Sequence, residues 1–278
     1  MVDNMAVLDR KISALKDRLR AYKALVVAFS GGVDSTFLLK VAHDVLKSSV
    51  LAVTARSFCH PERELSHACK LAEDIGARQV IIETKELDIP EFTANDYNRC
   101  YYCKKSLFNT LKKIAADNSI KYIADGTNAD DVSDYRPGMK AADELNITSP
   151  LKEIGFSKNE IREASRCIGL ATWDKPSFAC LATRIPYGEA ITKDKLIMVD
   201  RAEQFLLDRG LLQVRVRHHG NLARIEVDPK DRSKLFDLDL LDDINVYFKK
   251  IGFSYTAIDV AGYRTGKMNE ALKVKGEI

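Results

Sequence analysis

Leu8, Ile12, Leu15, Leu19 and Tyr22 recur at alternating four- and three-residue spacing, one apolar stripe on a helix that must pack on something else. Ala24 to Phe29 is then continuously apolar, Ser30 to Ser35 is polar and glycine-bearing, and Phe37, Leu38, Val41, Val45 and Leu46 return to helical period. This predicts strand, loop and helix in that order. The alternation continues with a strand over 50–54, a helix over 61–75 with Pro61 near its first turn and Gly76 just past its end, and a strand over 79–83. After a less regular stretch around 88–103, a helix is predicted over 105–117, then a strand at Tyr122–Ala124 and a turn at Asp125-Gly126-Thr127-Asn128. Ser157-Lys158-Asn159-Glu160 is a capping-box pattern opening a helix that Gly169 ends.

Strands alternating with helices imply an α/β fold built on a doubly wound parallel sheet, whose ligands sit beyond the carboxyl ends of the strands. A second regime follows. Lys175 to Thr192 holds two prolines and a glycine among apolar and small residues, the composition of a functional loop or linker. A helix over 193–209, strands over 212–217 and 223–227, a helix over 229–250 and a strand over 254–260 then predict a smaller α+β domain. We therefore expect a main domain over residues 1–185 and a second over 186–278.

At 278 residues the chain is long enough for two cores. Its 46% hydrophobic and 30% charged residues are the balance of a soluble globular protein. A formal charge of +3, from 43 basic and 40 acidic side chains, is too small to argue for a nucleic-acid partner, so any anion site must be local. No apolar run approaches the roughly 20 residues of a membrane helix, and no secretory leader is evident, so no membrane partner is expected and the cytoplasm is the expected compartment. In such a reducing compartment six cysteines are expected to be free, catalytic or metal-bound rather than a disulfide framework.

Ser30-Gly31-Gly32-Val33-Asp34-Ser35 lies between a buried strand and a helix, where backbone N–H groups and the helix N-terminus form an anion site. Two glycines let the backbone approach phosphate oxygens, Ser30 and Ser35 add hydroxyls, and Asp34 can orient the loop or hold a magnesium ion bridging phosphates. No lysine follows the glycines, so this is not a Walker A loop. Taken alone, a Ser-Gly-Gly is equally well a tight turn. Asp130 and Asp131 follow the Gly126-Thr127-Asn128 turn at a strand end, a place for nucleotide or magnesium contacts, although turn chemistry alone also explains them.

Arg99-Cys100-Tyr101-Tyr102-Cys103-Lys104-Lys105 places a CxxC at a helix entrance among cationic side chains, which favour thiolate. Packing cysteines, a redox pair and a mixed zinc site completed by His60 or another cysteine all remain open on these residues alone. Lys175-Pro176-Ser177-Phe178-Ala179-Cys180-Leu181-Ala182-Thr183-Arg184-Ile185-Pro186-Tyr187-Gly188 puts a further cysteine in an apolar loop beside an arginine. Cys59, Cys69 and Cys167 fall outside these segments and are read as structural, and His218-His219 as strand-end polar surface.

The six-residue loop resembles the SGGxDS signature of the PP-loop ATP pyrophosphatases, a superfamily that includes NAD and GMP synthetases, argininosuccinate synthetase and tRNA-thiolating enzymes. Together with the CYYCKK segment, the PSxACLAxRIPYG stretch and Gly262-Tyr263-Arg264-Thr265-Gly266, it makes residues 10–270 resemble the LarE family of sulfur transferases in nickel-pincer cofactor synthesis. The resemblance implies ATP binding by Ser30, Gly31, Gly32, Val33, Asp34, Ser35, Gly126 and Thr127, with Mg2+. It also implies adenylation of a carboxylate of a pyridinium biscarboxylic acid mononucleotide and its replacement by a thiocarboxylate. Cys180 matches the sulfur-donor position. With Cys100 and Cys103 also present, the sequence resembles the branch that carries a 4Fe–4S cluster on three cysteines, as against the branch that sacrifices the donor cysteine. Arg215 and Arg264 match positions holding the substrate phosphate, and Asp131, Glu203 and Glu226 resemble acidic residues near metal and substrate. A small-molecule mononucleotide, a sulfide source and a homo-oligomer are the expected partners, the second domain serving substrate binding and self-association. Rival readings are a PP-loop tRNA thiolase, disfavoured by the near-neutral charge, an ammonia-using synthetase, which leaves the three cysteines without a role, and a nucleotide sensor without turnover.

Overall fold

The computed structural model describes residues 2–133 and 137–264, so Thr265 and Gly266 lie outside the described residues. They fall into two compact units: the described residues up to Ile89 with Asn98–Phe178, and Pro90–Tyr97 with the described residues from Ala179 onward.

In the first unit α1 (Val2–Tyr22) leads to β1 (Leu25–Ala28), α2 (Val33–Leu46), β2 (Val50–Arg56), α3 (Glu62–Ile75) and β3 (Arg78–Glu83). After the short α4 (Pro90–Thr93), which belongs to the second unit, come α5 (Arg99–Asp117), β4 (Tyr122–Ala124), α6 (Pro137–Glu144), α7 (Pro150–Ile154) and α8 (Lys158–Cys167). The four strands are parallel in the order β3-β2-β1-β4. The continuous apolar runs of β1 and β2 follow from burial on both faces, while the edge strand β3 is largely exposed. Leu25 and Val27 point into a core with Leu15 and Leu19 of α1, Phe37 of α2 and Ile161 of α8. Val26 points the other way, into a core with Phe108 and Leu111 of α5 and Ala141 of α6. The chain builds outward from β1 through β2 to β3, then crosses back to lay β4 on the other flank of β1. That reversal opens a crevice at the carboxyl ends of β1 and β4, where doubly wound sheets take ligands.

In the second unit α9 (Lys193–Leu207), β5 (Val214–His219), β6 (Leu222–Val227), α10 (Leu238–Lys250) and β7 (Tyr255–Ile258) enclose a core that includes Leu206, Val216, Ile225 and Phe248. β6 pairs antiparallel with β5 and parallel with β7. The detached segment Pro90–Tyr97 joins this unit through Asn95, which is fully buried. Its amide nitrogen donates to the carbonyls of Ile185, Pro186 and Glu189 at 3.3, 2.7 and 2.9 Å.

The helix expected from 105 begins at Arg99, so the CxxC lies within its first two turns. The single helix expected over 229–250 is two elements, a 3-10 stretch Pro229–Phe236 and then α10, because the Asp237 side chain accepts the Leu240 N–H at 3.0 Å and starts a new helix there. Helices α4, α6 and α7 have too few residues to show a period, and the sequence pattern did not mark them.

The capping box of α8 is present in both halves: Ser157 Oγ accepts the Glu160 N–H at 3.3 Å and Glu160 Oε2 accepts the Ser157 N–H at 2.7 Å. Ser157→Ala is expected to cost about 1 kcal/mol, read as a fall of ~2–4 °C in Tm by differential scanning calorimetry. An unchanged Tm would remove the cap from the interactions that hold α8.

Candidate functional site

The loop after β1 and the turn after β4 meet across the crevice. Gly31 has φ +70°, and a Cβ built there would lie 2.9 Å from Ala68 Cβ on α3. A Cβ at Gly126 would lie 2.9 Å from the Ser35 amide nitrogen. The first glycine is needed for its left-handed backbone and for space, the second for space alone. Within the loop, Ser30 Oγ and Ser35 Oγ are 3.1 Å apart, and Ser35 Oγ accepts the Ser30 N–H and donates to the Gly32 carbonyl, both at 3.3 Å. Gly32 is the N-cap of α2 and supplies no side chain, so the N–H groups of the first turn face the crevice without a side-chain acceptor. The β4 turn is held by buried Asp125, which accepts the Thr127 N–H at 3.1 Å, the Thr127 hydroxyl at 2.8 Å and the Ser149 hydroxyl at 2.8 Å.

Asp34, in the first turn of α2, accepts from Lys158 Nζ at 2.6 Å through Oδ2. Its Oδ1 is buried without a hydrogen-bond partner among the described residues. Burial pushes this carboxyl up and the Lys158 ammonium opposes it, with the charge of Asp131 acting in the same direction as burial. Asp131 Oδ2 accepts the Asn128 N–H at 3.0 Å and Asp130 Oδ2 accepts the Lys158 N–H at 2.8 Å, so both aspartates brace the turn around the loop.

Lys175 is a site residue that the sequence reading left inside its loop segment without a role. Its ammonium donates to the Gly31 carbonyl at 3.2 Å, to Glu64 Oε2 at 2.8 Å and to His67 Nδ1 at 2.7 Å. Since lysine has donors only, His67 Nδ1 accepts. Burial, and then the Lys175 charge, push the His67 pKa down, which keeps that nitrogen unprotonated. The signal was the lysine at the start of the Lys175–Gly188 segment, but nothing in one dimension places it beside Gly31.

In the second unit Glu203 and Glu226 are buried in ion pairs rather than lying on the surface. Glu203 is buried and takes Arg184 in a two-pronged pair at 2.8 and 3.0 Å, while also accepting the Val216 N–H at 2.9 Å. Arg184, equally buried, donates to the carbonyls of Ala179 at 2.9 Å and Cys180 at 3.3 Å. Thr183 N–H and hydroxyl also donate to the Cys180 carbonyl, at 3.0 and 2.8 Å, so the backbone at this cysteine is fixed from three directions. Glu226 is fully buried and takes Arg217 at 2.7 Å and Arg224 at 3.1 Å. Arg215 is buried, packs on the Tyr263 ring at 4.9 Å and has its pKa pushed down to about 10 by burial and by Arg184, so it is still cationic at neutral pH. Arg264 is exposed in the turn after Gly262, where a Cβ would lie 2.7 Å from the Val227 carbonyl oxygen. His218 is buried against Phe253, which corrects its reading as polar surface.

Cys100 is exposed and Cys103 half-buried, one helical turn apart on α5 of the first unit, and Cys180 is half-buried in the second. Cys59 is fully buried, as a structural cysteine should be, but Cys167 is exposed and belongs to no core. Among the described residues no three His, Cys, Asp or Glu side chains are grouped as a metal site.

Residues 7–113 match the NAD synthase family, the stretch that carries β1, the glycine loop and α2. The GMP synthase [glutamine-hydrolyzing] of Aeropyrum pernix is 28% identical over 198 residues, 64% of this chain and 38% of that protein. Two likenesses run nearly end to end. The uncharacterized protein slr1717 of Synechocystis sp. is 42% identical over 266 residues, covering 96% of this chain and 99% of that protein. The pyridinium-3,5-bisthiocarboxylic acid mononucleotide synthase of Lactiplantibacillus plantarum is 38% identical over 269 residues, covering 96% and 97%. A glycine loop with an uncapped helix N-terminus at the turning point of a parallel sheet, and identity of this extent along almost the whole of both chains, lead to one conclusion: the chain belongs to the LarE family of PP-loop proteins and is an ATP-using enzyme.

Proposed function

We propose that this enzyme adenylates a carboxylate of a pyridinium biscarboxylic acid mononucleotide and converts it to a thiocarboxylate, a step of nickel-pincer cofactor synthesis. The observation that carries the ATP half is the Ser30–Ser35 loop. Its Gly31 and its partner Gly126 admit no side chain, and α2 offers its first-turn N–H groups to an anion. The likeness to the Lactiplantibacillus synthase supports the substrate half.

Ser30, Gly31, Gly32, Val33 and Ser35 would hold the triphosphate, with Gly126 and Thr127 closing on it from β4. Asp34 Oδ1, a buried oxygen with no donor among the described residues, fits a magnesium ion, which would screen the phosphates when bound. The substrate carboxylate attacks the α-phosphorus and pyrophosphate leaves; a sulfur nucleophile then attacks the acyl carbon of the mixed anhydride and AMP leaves with its bonding pair. Arg215 and Arg264 are assigned the mononucleotide phosphate. Burial strips Arg215 of water and strengthens its pull on an anion. Glu203 is assigned to position Arg184 and, through it, the backbone of Cys180. Glu226, through Arg217 and its bond to the Thr183 carbonyl, is assigned a similar role, and Asp131 is assigned to brace the turn after β4 beside the phosphate loop.

For the sulfur, Cys100, Cys103 and Cys180 are soft donors of the kind a 4Fe–4S cluster takes, and they would hold such a cluster, which would supply a labile sulfide when bound. The other reading gives Cys180 itself as the sacrificed sulfur. A sulfide source and self-association through the second unit complete the proposal.

Asp34→Ala is expected to lower AMP and pyrophosphate formation by about 100-fold or more, the scale of losing a metal-linked transition-state contact. Undiminished AMP formation would remove Asp34 from the reaction. Cys180→Ala is expected to abolish thiocarboxylate formation while leaving AMP formation intact, measured by mass spectrometry of the product. Iron and acid-labile sulfide analysis of anaerobically purified protein separates the two sulfur routes. About four irons per chain, lost on Cys100→Ala or Cys103→Ala, are expected; iron-free protein whose Cys180 loses its sulfur once per chain would overturn the cluster.

A further inference from the structure

We propose that Lys175 is a positioning residue that couples phosphate occupancy of the Ser30–Ser35 loop to the order of the segment leading to Cys180. The coupling concerns the loop and the segment themselves; only its use in sulfur delivery rests on the function proposed above.

The contacts are all within the first unit. Lys175 has three N–H donors, and each has an acceptor: the Gly31 carbonyl, Glu64 and His67. The bond to Gly31 matters most, because the peptide joining Gly31 to Gly32 is planar and trans, so its oxygen and its N–H point in opposite directions. Lys175 on the oxygen therefore turns the Gly32 N–H away from itself. The nearest acceptor of that N–H is Ser30 Oγ at 3.4 Å, a long contact that a phosphate oxygen readily replaces. An anion accepted by the Gly32 N–H polarises the peptide and strengthens the bond that its oxygen makes to the ammonium, as linked hydrogen bonds reinforce one another. The segment behind Lys175 is equally tied down. Arg162 on α8 donates to the carbonyl of Trp173 at 2.7 Å and to that of Lys175 at 2.9 Å. Nucleotide on the loop thus tightens residues 173–175, and their order tightens the nucleotide by the same factor. Four residues of chain connect Lys175 to Cys180, so the segment that leads to the cysteine is held most firmly at this anchor when ATP is in place.

The chain contains one tryptophan, Trp173, partly exposed at 41%, two residues before Lys175, which provides the reporter. Acrylamide quenching of its fluorescence is to be measured with and without saturating magnesium α,β-methylene-ATP, and the affinity for that analogue by equilibrium dialysis. In the unaltered protein the analogue is expected to reduce quenching. Lys175→Met is expected to abolish that reduction and weaken analogue binding by about tenfold, the loss of one charge-assisted bond. Lys175→Arg, which keeps a cation of similar reach, is expected to restore part of both. Quenching that does not respond to the analogue in the unaltered protein overturns the proposal without any variant, and so does a Lys175→Met protein that responds fully. These readouts use no mononucleotide substrate: a normal quenching response in an enzyme that fails to thiolate its substrate removes the proposed function and leaves the coupling standing.

Discussion

A methyl group at Gly126 would sit 2.9 Å from the Ser35 amide, and one at Gly31 would sit as close to Ala68. These two contacts bring β4's turn, the first turn of α2 and the flank of α3 together around one small space. They leave backbone N–H groups to line the closest approach, since a side chain at either glycine has no room. Asp125, Asp130 and Asp131 spend their oxygens on the surrounding turns. Among the described residues, the carboxylate oxygen left buried without a donor is Asp34 Oδ1. Buried polar groups are nearly always satisfied, so an orphaned carboxylate oxygen inside an anion site is a meaningful exception.

The second unit solves a different problem, that of keeping several charges out of water. Arg184 with Glu203, and Arg217 with Glu226, are buried pairs in which nearly every oxygen has an N–H pointed at it. Such pairs contribute little net stability compared with apolar packing, but losing one partner strands the other at several kcal/mol. What they supply is direction. The guanidinium of Arg184 can lie in only one orientation once Glu203 holds two of its edges, and the remaining edge then fixes the carbonyls of Ala179 and Cys180.

The parallel sheet was legible because its runs, Leu25–Ala28 and Val50–Arg56 among them, are apolar on both faces and are separated by helices with clear stripes and caps. The phosphate loop was legible because local geometry dictates its residues: a glycine where φ is positive, another where a helix must start, and an aspartate in the first turn. Lys175 and Asp125 were not, since their roles depend on partners brought near by the fold, Lys175 lying 144 positions from Gly31. The burial of Glu203, Glu226 and Arg215 was hidden for a related reason. In a short strand such as Val214–His219, alternation marks one face as polar but does not tell whether arginines on that face meet water or carboxylates.

The chain leaves the first unit at Pro90, returns at Asn98 and leaves again at Ala179. During synthesis, therefore, the first unit acquires β1 to β3 and then, before its fourth strand is made, extrudes an eight-residue segment whose Asn95 amide must wait for the carbonyls of Ile185, Pro186 and Glu189, which have not yet been translated. Domains generally fold as they emerge. Here the amino-terminal one must do so with a tethered segment held open on the ribosome, and the later unit cannot be completed as a separate polypeptide, since one of its buried side chains was made long before the rest of it.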